Sequence, residues 1–251
     1  MSNPLLSKFD KIDFSQEMDR SNTMTVHGTA AKTGVLLALA MVTATLSWRL
    51  ISNDAGMALP LLLGGAIPAL ILAMIGTFFP KSSPFTAPLY ALFEGLALGA
   101  ISLLISGMVA KKAGSSHIVL QATLLTFGVM AAMLALYGFR IIKVTGKLVA
   151  VIMAATIAVG LFYLVMMFVR MFSPTMAFSF TDGGLLSIGI SVAVILIAAF
   201  NLLLDFDLIE KSAESGAPKY MEWYGALGLM VTLVWLYLEI LKLLSKLNSR
   251  N

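Results

Sequence analysis

Met57-Ala58-Leu59-Pro60-Leu61-Leu62-Leu63-Gly64-Gly65-Ala66-Ile67-Pro68-Ala69-Leu70-Ile71-Leu72-Ala73-Met74-Ile75-Gly76-Thr77-Phe78-Phe79 carries no ionisable side chain from end to end. A helix crosses the bilayer core with about 20 mostly apolar residues, so this stretch decides which solvent the chain folds in. Working outward, six further runs of the same kind lie at roughly 33–51, 86–109, 117–138, 147–170, 184–207 and 219–247. Composition agrees: the 251 residues are 59% hydrophobic and 12% charged, with a mean hydropathy of +0.93. Soluble domains carry roughly 25% charged residues, and a chain this long leaves too much surface exposed to hide so many apolar side chains. A soluble enzyme, a disordered chain, a coiled coil and a disulfide scaffold are thereby excluded. Strands are excluded too, because period-2 alternation is absent and lipid-facing backbone must satisfy itself within helices or a closed barrel. The expected fold is an all-α integral membrane protein with seven transmembrane helices.

Short connectors separate the runs: Ser52-Asn53-Asp54-Ala55-Gly56, Pro80-Lys81-Ser82-Ser83-Pro84, Lys111-Lys112-Ala113-Gly114, Arg140 to Lys147, and Glu210 to Pro218. A longer one holds Arg170, Pro174, Asp182, Gly183 and Gly184. The expected division is a polar N-terminal tail over 1–32 and a transmembrane domain over 33–251. Nothing resembles a cleavable signal at the start. Leu5, Phe9 and Ile12 could form a small apolar stripe on the membrane surface within an otherwise frayed tail. Basic residues orient the chain. Placing the N-terminus inside gathers Lys8, Lys11, Arg20, Lys32, Lys81, Arg140, Lys143, Lys147, Lys211 and Lys219 on the cytoplasmic side. The other loops then hold only Arg49, Lys111, Lys112 and Arg170, with Lys242, Lys246 and Arg250 at the C-terminal end. A net charge of +4 and a pI near 9.3 fit loops anchored beside anionic lipid and do not suggest a nucleic-acid partner.

Ionisable residues inside spans are costly and therefore informative. Here they are Glu94 in the third run, Asp205 and Asp207 late in the sixth, and Glu239 in the seventh, with Glu222 near the seventh's start. This interior reads as acidic, without a basic partner at comparable depth. Either the carboxyls keep their protons or a cation neutralises them, and an all-oxygen site suits a hard ion such as calcium. Taken singly, Glu94 could bridge helices, and Asp205 with Asp207 could cap the rim. Taken together they point to ion handling. Gly225, Gly228, Thr232, Trp235 and Glu239 share one helix face. Ala91, Gly95 and Gly99 form a small-residue seam suited to close helix packing. If the chain reverses near Gly216, Asp205 is level with Leu227, and Glu222 and Thr232 each lie about 7.5 Å from that level. Glu239 is about 18 Å away.

No His-Glu-x-x-His, nucleophile elbow or phosphate loop occurs. His27 and His117 sit at span edges, the 16 Met read as packing filler, and Cys is absent. Neither catalysis nor a cofactor is expected.

Leu204-Asp205-Phe206-Asp207-Leu208-Ile209-Glu210-Lys211 with Gly216, then Tyr220, Trp223 and Gly225-Ala226-Leu227-Gly228-Leu229, resembles the C-terminal signature of the Bax inhibitor family of seven-helix membrane proteins. Phe93-Glu94-Gly95-Leu96-Ala97-Leu98-Gly99 is similar to that family's third helix, and Met24 to Thr33 looks like a bacterial branch. The resemblance implies a central seventh helix wrapped by the other six. It also implies a pH-sensitive calcium leak gated by aspartates on the sixth and seventh helices. Asp205 or Asp207 matches the first of these, and Thr232 stands where the second belongs. The family's latching arginine on the second helix has no counterpart within 57–79. Glu239 or Asp207 could stand in for the missing carboxylate, although Asp205 and Asp207 point about 200° apart on a helix.

The expected function is a pH-sensitive cation leak of the bacterial plasma membrane. Asp205 and Asp207 would be its cation contacts, with calcium the ion moved, and Glu94, Thr232 and Glu239 would support them. The alternative is a non-conducting regulator that binds a membrane protease or another membrane complex, using its N-terminal tail. A proton-coupled carrier for an organic solute ranks last.

Overall fold

The structure, a computed structural model, describes residues 23–113, 117–172 and 184–248. The possible stripe of Leu5, Phe9 and Ile12, the connector residues Gly114, Pro174, Asp182 and Gly183, and Arg250 lie outside the described residues, as do the side chains of Lys112 and Arg170. Seven helices account for nearly everything described: α1 Val26–Asn53, α2 Ala58–Phe78, α3 Ser83–Ala113, α4 Ile118–Gly138, α5 Gly146–Phe172, α6 Leu185–Glu214 and α7 Met221–Asn248. Each contains a segment long and apolar enough to cross a membrane.

The helices outrun the apolar runs where polar residues find partners inside the protein. α1 begins at Val26, well before the expected 33. Thr25 caps it, its hydroxyl accepting from the Gly28 amide at 2.9 Å. The buried Thr29 and Thr33 donate to the carbonyls four residues back, each at 3.0 Å. Helix α1 therefore starts before the apolar run that opens near 33. The chain reverses where expected, at Gly216, whose φ of 70° is the left-handed conformation that glycine adopts without strain.

Burial identifies the centre. In its most apolar stretch, 56% of α7 is buried, against 6% for α5. α7 packs against α6, α1, α3, α4 and α2, whereas α5 docks mainly on α6. The seventh helix is central, as the resemblance implied, but the wrapping is uneven. α5 has the highest hydropathy of the seven spans and leaves Val151, Ile157, Leu161, Val165 and Phe168 exposed, which suits a helix facing lipid. Two cores meet on α7. One gathers Leu36, Ala40, Ala69, Ala91, Ala226 and Met230; the other holds Ala122, Ala198, Leu202, Leu203, Leu236 and Leu241. In the first, α1 and α3 approach so closely that a Cβ on Gly95 or Gly99 would collide with the carbonyls of Ala40 or Ala44, the close packing that small residues permit in lipid.

Candidate functional site

Asp205 sits on α6 one turn after Asn201, whose amide donates to Thr156 of α5 at 2.8 Å and to the Ile197 carbonyl at 2.9 Å. The Asp205 carboxyl faces α7 at Gly228 and Thr232. A Cβ on Gly228 would stand 3.8 Å from its Oδ1, and the Thr232 hydroxyl is its polar neighbour. Thr232 also donates to the Gly228 carbonyl at 3.2 Å. Of the two groups that the hairpin register placed near Asp205, Thr232 is the one that reaches it. Oδ2 of Asp205 is buried and has no hydrogen-bond partner among the described residues, and the carboxyl makes no ion pair with them. Leu202 and Leu203, before it on α6, and Leu229 and Leu233 of α7 are core residues. A buried carboxyl oxygen left without a donor is costly, and the cost falls away if a proton or cation occupies it.

The remaining acids are treated differently. Glu94 of α3 makes no ion pair among the described residues. Asp207 is held by Lys211 at 2.6 Å, with the lysine side chain 62% exposed, so this is a rim pair. Glu239 is buried and accepts from the Tyr163 hydroxyl of α5 and from Lys242, both at 2.8 Å. Lys246, a turn further, is buried against the Ser187 carbonyl at 3.1 Å and the Ser191 hydroxyl at 2.8 Å. The expectation of an acidic interior without basic companions thus fits Asp205 and Glu94 and is corrected for Asp207 and Glu239. Their lysines lie three or four residues along the same helix, the spacing at which helix neighbours meet.

Asp205 and Asp207, read as joint calcium contacts, are not brought together. One turns into the α6–α7 interface and the other toward Lys211 at the rim. No group of three or more His, Cys, Asp or Glu placed to hold a metal ion occurs among the described residues. Resident calcium takes six to eight oxygens, a set that Asp205 and Asp207 do not form together.

Glu222, which the hairpin register leaves as a possible neighbour of Asp205, is instead the best-satisfied carboxylate described. It is 1% exposed and accepts from the Thr25 amide and hydroxyl, both at 2.9 Å, and it pairs with Lys32 and, at 2.9 Å, with Lys219. Lys32 also lies over the Trp223 ring. The N-terminus of α1 is thereby fastened to the start of α7. Gly28 is part of this fastening, because a Cβ there would occupy the carboxylate's place. A second fastening joins α4 to α6, where Glu210 accepts from Tyr137 and pairs with Arg140 at 2.8 Å.

No match was found among curated proteins or among solved structures. The sequence model of the family described as Bax inhibitor 1 like matches residues 3–249. Seven membrane-length helices, a buried α7 and a match over nearly the whole chain lead to one conclusion: this protein belongs to the Bax inhibitor 1-like family of multi-pass membrane proteins.

Proposed function

We propose that this protein is a pH-sensitive cation leak of a bacterial plasma membrane, with its N-terminus in the cytoplasm, calcium as cargo and Asp205 as the sensing group. The observation that carries this reading is the buried Oδ2 of Asp205, at the interface between α6 and the central α7, which has no partner among the described residues. Ionised, the carboxyl needs a cation and draws one between the two helices. Protonated, it is neutral and the helices can close on it. Thr232 supplies a hydroxyl where a second carboxylate would otherwise stand, so a single charge does the switching. Glu94 contributes negative potential from α3, while Glu239, already paired with Lys242, tunes the opposite end of the same helix face.

The test is calcium entry into liposomes containing the full chain, followed between about pH 6 and 8, a range in which interior carboxyls can titrate. The reading expects flux above that of empty vesicles, changing across this range, and a flat profile for Asp205→Asn. Flux no greater than in empty vesicles would overturn it.

A second reading, a non-conducting regulator of a membrane protease or another membrane complex, draws on a different observation. Thr23 pairs with Pro218 in an antiparallel bridge, and the Met24 amide donates to the Ala217 carbonyl at 2.7 Å, so the segment leading into α1 rests on the α6–α7 turn. A partner gripping the tail would therefore pull on the hairpin that bears Asp205. Deleting residues 1–22 separates the readings: partner binding should be lost under the second, whereas flux should persist under the first.

A further inference from the structure

A groove of about 620 Å³ lies between α1 and α4, floored by α3 and α7. Its mouth is formed by the exposed Met41 and Thr45 of α1 and the exposed His117 and Leu120 of α4. Ser102, Thr126 and Met230 are buried at its floor. Both walls are membrane-length helices, so the groove opens sideways toward lipid.

Its dimensions select among occupants. From Leu37 to Trp48 it runs about 17 Å at the helical rise, roughly half the hydrocarbon thickness and so the depth of one leaflet. Spread over that length, the volume is that of a long, narrow slot, and an extended hydrocarbon chain fits along it. The chemistry of the lining agrees. Ser102 bonds Tyr237 at 2.7 Å, and Thr45, Thr123 and Thr126 each donate to a carbonyl of their own helix at 2.7–2.8 Å. These hydroxyls are turned to protein partners, so the slot has little need of water and differs in kind from the Asp205 interface. Trp48 and His117 line the groove at the end where α1 and α3 finish and α4 starts, and the exposed Arg49 and Lys111 lie near the ends of those same helices. That is a basic rim with an aromatic anchor, at the level of a lipid headgroup.

We propose that the α1–α4 groove is a lipid site that holds one acyl chain of an anionic phospholipid, with the headgroup at the Arg49–Lys111–His117 rim. The site does not depend on ion conduction.

The test uses the full chain in nanodiscs containing phosphatidylglycerol with a photoactivatable acyl chain. Crosslinks should concentrate on residues 37–48 and 117–127, and excess unlabelled phosphatidylglycerol should compete where phosphatidylcholine does not. Thr123→Trp, which fills the slot from α4, should lower groove labelling at least about fivefold, a loss of roughly 1 kcal/mol in occupancy. Thr45→Trp fills it from α1 and serves if the first variant does not fold. Labelling spread evenly over α2 and α5, or undiminished in a folded tryptophan variant, would overturn the site. Equal competition by phosphatidylcholine would overturn the headgroup assignment.

Discussion

Glu222 and Asp205 are both acidic groups withdrawn from water in or against the central helix, and the protein treats them in opposite ways. Glu222 receives two lysines and both donors of Thr25. Asp205 has one threonine beside it and an oxygen with no partner among the described residues. A carboxylate with full compensation is a fastening, because removing either side leaves charge stranded. A carboxylate without it is poised, because its neutralisation must come from a mobile ion or proton. The contrast shows how to distinguish structural from functional acids in a bundle where both are hidden: count the donors aimed at them.

Breaking the fastened end should have the largest effect on stability. Glu222→Ala leaves Lys32 and Lys219 without their counter-charge and frees the start of α1, at a cost of about 3 kcal/mol. Thermal unfolding in detergent should show it as a clear drop in midpoint. Gly28→Ala attacks the same point by crowding, and about 2 kcal/mol is expected. Its control is Gly64→Ala, where nothing lies within 4 Å of the new methyl group. That change should be neutral or stabilising by up to about 1 kcal/mol. If both alanines behave alike in the unfolding assay, Glu222 is not clasped as described. The smallest effect belongs to the rim: Lys211→Ala removes an exposed partner from Asp207 and should cost no more than about 0.5 kcal/mol.

The fold was legible because lipid permits few solutions. Apolar length alone located seven helices. The start of α1 is not legible from apolar length, because Thr29 and Thr33 look polar in sequence yet bond back to their own helix. At the site, the hairpin register leaves Glu222 and Thr232 equally near Asp205, and only the packing of α6 on α7 selects Thr232. The pairing of Glu239 with Lys242 could have been read from its spacing, but Lys242 had been assigned to the C-terminal end. The pairing of Lys32 with Glu222 had no local signal, since 190 residues separate the two and only the packing of α1 on α7 joins them.

The most direct measurement compares the two carboxyls under one assay: calcium flux against pH in liposomes, alongside thermal unfolding, for Asp205→Asn and Glu222→Ala. Asp205→Asn should keep its unfolding midpoint within about 1 kcal/mol equivalent and lose the pH response. Glu222→Ala should unfold early, while its folded fraction keeps the response. An Asp205→Asn protein with the pH profile of the unmodified chain would remove Asp205 from the sensing role.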